Sequence, residues 1–64
     1  MVTINGEEKN AAGKTVSEYL EEAGYQANRV VVERNLEILP RGEYPRAVLK
    51  DGDILEIVGF VGGG

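Results

Sequence analysis

The chain has 64 residues, with seven Lys or Arg, eleven Asp or Glu, and neither Cys nor His. A domain of this size buries only about 60% of its unfolded surface, which leaves little room for a deep substrate cavity. Without Cys and His it lacks disulfides, thiol nucleophiles and the usual zinc ligands. Its net charge of -4 has the wrong sign for binding nucleic acid or an anionic membrane. The composition favours a carrier or binding protein over a self-contained enzyme.

The start of the chain shows no targeting signal. Met1 leads directly into Val2-Thr3-Ile4, without a basic and apolar leader and without a long apolar run. We therefore expect a soluble, cytoplasmic protein.

The first predicted element is a β-hairpin. Apolar Val2 and Ile4 alternate with polar residues, which is the period of a half-buried strand. Asn5-Gly6 is the strongest short hairpin signal, and a more polar outer strand is predicted over 7–12. Gly13-Lys14 is expected to end that strand at a turn.

A helix is predicted to begin at Thr15, because Thr15 and Glu18 have the spacing of a capping box. Four apolar residues at helical spacing predict a stripe that packs on a sheet. These four are Val16, Tyr19, Leu20 and Ala23. Gly24 is expected to end the helix in the left-handed conformation. The acidic residues Glu18, Glu21 and Glu22 fall on the solvated face without a cleft, so paired acid-base catalysis is not predicted.

The second half of the chain predicts further strands. The β-branched run 29–34 is too short for a helix and predicts a central strand that is buried on more than one side. Residues 35–46 contain both prolines and predict a connector, with a short strand at 37–39.

The last predicted strand covers 54–58, with Leu55 and Ile57 toward the core. It follows a tight turn at 50–53. The sequence Asp51-Gly52-Asp53 lacks the other ligands of a calcium loop, so this segment predicts a turn and not a metal site.

The order of these elements is ββαβ(β)β, which is typical of the β-grasp, or ubiquitin-like, fold. We therefore predict an α+β protein with a mixed sheet of four to five strands and one main helix packed on one face. Residues 1–59 are predicted to form the domain, and residues 60–64 a flexible C-terminal tail that ends in Gly-Gly.

The predicted chemical site is the end of this tail. Gly62, Gly63 and Gly64 lack a Cβ, so they suit a segment that must pass through a narrow channel in another protein. The α-carboxylate of Gly64 is the group that an activating enzyme could reach without unfolding the domain. Adenylation would make it an electrophile, and attack by a sulfur nucleophile would leave a thiocarboxylate. Phe60 and Val61 are predicted to dock on a partner, with packing of Phe60 on the sheet edge as the alternative.

Several segments together resemble the ThiS sulfur carriers of thiamine (thiazole) biosynthesis, which are relatives of the MoaD subunit of molybdopterin synthase. The resemblance covers essentially the whole chain. It is carried by Ile4-Asn5-Gly6-Glu7, Thr15-Val16-Ser17-Glu18-Tyr19-Leu20, Val30-Val31-Val32-Glu33-Arg34-Asn35 with Glu37-Ile38, Asp51-Gly52-Asp53-Ile54-Leu55-Glu56-Ile57-Val58, and the terminal glycines. Gly63 and Gly64 match the family's terminal Gly-Gly.

The resemblance implies a carrier that is acted on by other enzymes and binds no cofactor itself. A ThiF-like enzyme would adenylate Gly64 with ATP and magnesium, a cysteine desulfurase relay would supply sulfur, and a ThiG-like thiazole synthase would receive it. Three alternatives stay open on the residues alone. These are a MoaD-like subunit of molybdopterin synthase, a ubiquitin-like modifier joined to a target lysine, and an interaction domain with an incidental glycine tail.

Overall fold

A computed structural model describes residues 1–59, which form a five-stranded mixed sheet with one α-helix packed on one face. The strands are β1 (Val2–Ile4), β2 (Glu7–Lys9), β3 (Val30–Arg34), β4 (Glu37–Leu39) and β5 (Ile54–Gly59), and the helix α1 is Val16–Ala23. Two short 3-10 turns, Ala27–Arg29 and Arg41–Glu43, lie in the connections. The predicted α+β class and element order are confirmed.

The strand order across the sheet is β2-β1-β5-β3-β4. The first and last strands, β1 and β5, are parallel, whereas all other neighbouring strands are antiparallel. β5 is therefore the central strand, and β3 lies beside it. The prediction that the valine run is buried on more than one side is wrong. Val30 and Val32 are buried under α1, but Val31 is only half-buried, because the helix covers one face of the sheet.

The helix begins as predicted. The Thr15 amide donates to the Glu18 carboxylate at 2.7 Å, and the Glu18 amide donates to the Thr15 hydroxyl at 3.1 Å. Gly24 ends the helix with a φ of 87°, in the left-handed region that favours glycine. Ala23 departs from the prediction because it is exposed at the last turn.

The second strand is shorter than predicted and ends at Lys9 instead of Ala12. The chain leaves the sheet because Ala11 turns inward and is buried in the core. The next turn is held by hydrogen bonds from the Gly13 amide to the Leu49 carbonyl at 2.8 Å and from the Lys14 amide to the Ala11 carbonyl at 3.2 Å.

The core lies between α1 and the sheet, and the long connector closes its side. Its members are Val2, Ile4, Ala11, Val16, Leu20, Val30, Val32, Tyr44, Leu49, Leu55 and Ile57. Leu55 and Ile57 face the core as predicted. The connector contributes Tyr44, whose hydroxyl accepts from the Val32 amide at 3.2 Å and donates to the Val30 carbonyl at 3.5 Å. None of the helices within residues 1–59 has the length and apolar character that a membrane crossing requires.

Candidate functional site at the end of strand β5

Strand β5 is held in the sheet as far as the last described residue. Gly59 pairs with Val30 on β3, one residue beyond the predicted end of the strand. The predicted site residues follow directly and lie outside the described residues: Phe60, Val61, Gly62, Gly63 and Gly64. Their predicted roles, and the predicted division into a domain over 1–59 and a tail over 60–64, therefore stay predictions. What the structure defines is the strand that precedes them in the chain, β5.

The side chain of Asn5 fixes the later part of β5. Backbone pairing between β1 and β5 ends where the Asn5 amide donates to the Leu55 carbonyl at 2.9 Å. Beyond that point the Asn5 side chain, instead of the β1 backbone, forms the hydrogen bonds to β5. Its Oδ1 accepts from the Ile57 amide at 2.7 Å, and its Nδ2 donates to the Ile57 carbonyl at 3.3 Å. Asn5 therefore extends the sheet two residues toward Gly59.

We predict that replacing Asn5 by Gly loosens this part of β5. Asn5 has a φ of 51°, so Gly keeps the turn free of strain while removing both side-chain hydrogen bonds. The free energy of unfolding should fall by about 1 to 2 kcal/mol, and the Ile57 amide should exchange faster with solvent. Urea unfolding and amide hydrogen exchange measure the two effects.

The exposed residue Asn10 provides the matched control, because Asn10→Gly makes the same substitution beyond the end of β2. That variant should stay within about 0.5 kcal/mol of the original chain. Unchanged exchange of the Ile57 amide in Asn5→Gly would contradict the role given to Asn5.

A second asparagine fixes the start of β5. The Asn35 amide donates to the Ile54 carbonyl at 2.8 Å, and Asn35 Oδ1 accepts from the Ile54 amide at 2.9 Å. Its Nδ2 donates to the carboxylate of Asp53 at 3.2 Å. Asparagine side chains in left-handed turns thus hold β5 at its first residue, Ile54, and farther along at Ile57.

Asp53 is the one buried charged side chain in the described part of the chain, with 8% exposure. Its carboxylate also accepts from the Lys50 amide at 2.9 Å and forms an ion pair with Arg34 at 2.8 Å. Burial raises the pKa of this carboxyl, but the Lys50 and Asn35 hydrogen bonds and the Arg34 charge outweigh burial, so the pKa lies below its usual value of 3.8. Asp53 is therefore a structural carboxylate that closes the turn before β5.

The face of the sheet that α1 leaves open carries apolar residues beside this strand. Val58 lies opposite Val31, and Glu56 lies opposite Glu33. Ile38 on β4 and Ile54 at the start of β5 lie on the same face, as their pairing with Glu33 and Thr3 shows.

Residues 1–59 were compared with two kinds of functional site, a metal site and a binding pocket, and they form neither. No group of three His, Cys, Asp or Glu side chains in this range is placed to hold a metal ion, and this range forms no pocket. The residues Asp51, Gly52 and Asp53 form a tight turn, with a hydrogen bond from the Asp53 amide to the Lys50 carbonyl at 3.0 Å. The Asp51 carboxylate contacts the amino group of Met1, and the Asp53 carboxylate contacts Arg34.

A mixed five-stranded sheet with one helix on one face, and a central last strand that runs toward a glycine-rich end, defines a β-grasp protein. The chain belongs to the ThiS family, whose family model matches residues 2–64.

Similar proteins were found by sequence and by structure. The sulfur carrier protein ThiS of Thermus thermophilus is 42% identical over 64 residues, which cover all of both chains. The crystal structure of the thiamine biosynthesis protein ThiS of Geobacter metallireducens superposes with a TM-score of 0.77 at 37% identity, over 98% of this chain and 97% of that one.

The thiazole synthase of Paramagnetospirillum magneticum is 52% identical over 64 residues, which are 98% of this chain and 20% of that protein. A second thiazole synthase, from Magnetococcus marinus, matches at 42% identity with the same coverage. The chain thus spans about a fifth of the length of these two relatives.

Proposed function

We propose that this protein carries sulfur for thiazole formation as a thiocarboxylate on Gly64. The proposal is supported by membership of the ThiS family and by the similarity to the sulfur carrier protein ThiS of Thermus thermophilus, which the chain covers in full. The observation that carries the proposal is the placement of β5. This central strand is held by pairing on both sides and by two asparagines, and it runs directly into the segment that contains the three glycines.

The proposed chemistry at Gly64 has two steps. A carboxylate oxygen of Gly64 attacks the α-phosphorus of ATP, so that pyrophosphate leaves and an acyl adenylate forms. A thiol reduces the persulfide of the sulfur relay, which releases hydrosulfide and leaves a disulfide. The hydrosulfide then attacks the acyl carbon, AMP leaves, and the new carbon-sulfur bond replaces a carbon-oxygen bond. The partner enzyme neutralises the phosphate charges with magnesium and basic residues, because this chain has a net charge of -4 and its sequence contains no phosphate-binding loop.

Three partners are proposed for this chemistry. A ThiF-like enzyme adenylates Gly64, a cysteine desulfurase relay supplies the sulfur, and a ThiG-like thiazole synthase accepts it. The two relatives named thiazole synthase support the last partner, because each contains a segment similar to this chain within one polypeptide. The chain itself then acts as a substrate and carrier, and it catalyses neither step.

The mass of the intact protein tests the proposal. Incubation with the activating enzyme, ATP and a sulfur donor should raise the mass by the difference between sulfur and oxygen. A parallel reaction without ATP should leave the mass unchanged. If the complete mixture also left the mass unchanged, Gly64 would not be the sulfur site. A series of protein conjugates of increasing mass on a denaturing gel would instead indicate a ubiquitin-like modifier.

A further inference from the structure

Asn5 is the one asparagine of the chain that is followed by glycine. An asparagine side chain loses its amide group without an enzyme when the backbone nitrogen of the next residue attacks the side-chain carbonyl carbon. Glycine has no Cβ, so a glycine in the next position hinders this attack least. The other asparagines are followed by Ala11, Arg29 and Leu36, which have side chains. The sequence therefore makes Asn5 the most reactive asparagine of the chain.

The structure protects one of the two groups that react in Asn5-Gly6. The Gly6 amide, which is the attacking group, donates no hydrogen bond within residues 1–59. The Asn5 side chain, in contrast, is held by the backbone of Ile57. Its Oδ1 accepts from the Ile57 amide at 2.7 Å, and its Nδ2 donates to the Ile57 carbonyl at 3.3 Å. Both hydrogen bonds must break before the side-chain carbonyl can turn toward Gly6.

The hydrogen bonds of Asn5 break when the end of β5 opens. On one edge, this part of β5 pairs with β3, where Val58 lies opposite Val31. On the other edge, the backbone pairing with β1 stops at Leu55, and the Asn5 side chain supplies the next hydrogen bonds. Two such bonds reduce the open population by about tenfold or more. The folded chain therefore reacts at a rate set by this local opening.

We propose that Asn5 is a modification site, where the side-chain amide is hydrolysed when the end of β5 opens. The Gly6 nitrogen forms a bond to Cγ of Asn5, the bond from Cγ to Nδ2 breaks, and the proton of the Gly6 amide leaves with ammonia. A succinimide ring remains. Water then adds to either ring carbonyl and opens the ring to aspartate or isoaspartate. The reaction consumes only water and involves no oxidation or reduction.

The modified residue cannot restore the closed strand. Aspartate and isoaspartate both carry a carboxylate in place of the amide, so the donor to the Ile57 carbonyl is lost and a charged oxygen faces that carbonyl. Isoaspartate also inserts the Cβ of residue 5 into the main chain of the turn. The modification therefore loosens β5 at Ile57 in one direction only, directly before the residues that follow Gly59.

The test is the rate at which the intact protein gains the mass difference between a hydroxyl and an amino group. Tandem mass spectrometry of its peptides locates the change. At one pH and temperature, Asn5 in the folded chain should react at least about tenfold more slowly than in the chain unfolded by urea. The protection of the Ile57 amide against hydrogen exchange should equal this factor to within about threefold, because one opening exposes both groups.

A variant that weakens the end of β5 should speed the reaction. Val58→Gly leaves Asn5 and Gly6 unchanged, and Val58 is 59% exposed, so the core is retained. Because glycine is unfavourable within a strand, the rate at Asn5 should rise about threefold. Ile38→Gly is the matched control, since Ile38 is 69% exposed on β4, which does not adjoin β5. Its rate should stay within about twofold of the original, and circular dichroism checks both folds.

Three results would overturn the proposal. The first is an equal rate in the folded and unfolded chains, or faster modification of another asparagine. The second is a slowing that follows the exchange protection of the buried helix residue Leu20 and exceeds that of Ile57, because complete unfolding would then control the reaction. The third is equal acceleration by Val58→Gly and Ile38→Gly. The reaction needs neither a partner enzyme nor Gly64, so these results are independent of the test of the proposed function.

Discussion

Removal of Gly63 and Gly64 should abolish formation of the thiocarboxylate and leave the fold intact. The remaining chain would still end in a carboxylate, but that carboxylate would lie two residues, or about 7 Å, closer to the domain. It could not reach the site where ATP is bound. A misplacement of even about 1 Å can lower a rate by two orders of magnitude, so we expect no detectable gain of sulfur by intact mass.

A second variant isolates the carboxylate itself. A chain prepared with Gly64 as its amide keeps every residue and lacks only the group that attacks ATP. It should also remain without sulfur, although it should still bind the activating enzyme. Both variants should unfold at the same urea concentration as the original chain, because the core and the hydrogen bonds of Asn5 and Asn35 lie within residues 1–59. Sulfur gain by either variant would contradict the assignment of Gly64.

The second large effect is expected at Asp53. Replacement by Asn keeps the shape of the side chain but leaves Arg34 without its counter-ion at a site that is only partly exposed. Loss of this charged contact should lower the free energy of unfolding by about 2 to 3 kcal/mol at neutral pH. A 64-residue domain has a total stability of about 3 to 10 kcal/mol, so this loss would remove between about a fifth and all of it. Urea unfolding followed by circular dichroism measures the loss.

The pH dependence of this loss follows from the lowered pKa of Asp53. The unfolded chain binds a proton near pH 3.8, whereas the folded chain binds it only at lower pH. The stabilisation is therefore complete above the unfolded pKa and is lost as the pH falls through the folded pKa. The difference between Asp53→Asn and the original chain should be largest at neutral pH and should shrink at more acidic pH.

Asp51 in the same turn gives the control for this experiment. Its side chain is 80% exposed, so Asp51→Asn should change the stability by less than about 1 kcal/mol. Equal effects of the two substitutions would show that the turn, and not the buried Asp53 contacts, accounts for the loss.

Local signals in the sequence were sufficient for most of the fold. The capping pair Thr15 and Glu18, the Asn5-Gly6 turn and the alternation in β5 each involve residues close together in the chain, and each appears in the structure as expected. The tight turn between β3 and β4 was not predicted, because it consists of Asn35 and Leu36. Leu rarely adopts a positive φ, yet Leu36 has a φ of 73°.

The supports of the candidate site could not be predicted because they join residues far apart in the sequence. Asn5 and Ile57 are separated by 52 positions, and a turn signal does not show which strand lies beside the turn. The burial of Tyr44 could not be predicted either. Tyr44 lies in a connector that contains Pro and Gly, and the residues of such a connector are expected to be exposed. By contrast, the predicted importance of Gly64 depends on chemistry at one residue and needs no knowledge of packing.

The parallel pairing of β1 and β5 has a practical consequence for labelling. Thr3 lies beside Ile54 at the start of β5, and the Met1 carbonyl accepts from the Gly52 amide at 2.8 Å. From Ile54, β5 then extends about 17 Å to Gly59. A fluorophore or surface anchor attached at Met1 would therefore stand about a strand length away from Gly59, so we expect immobilisation there to leave the residues that follow β5 accessible to the proposed partners.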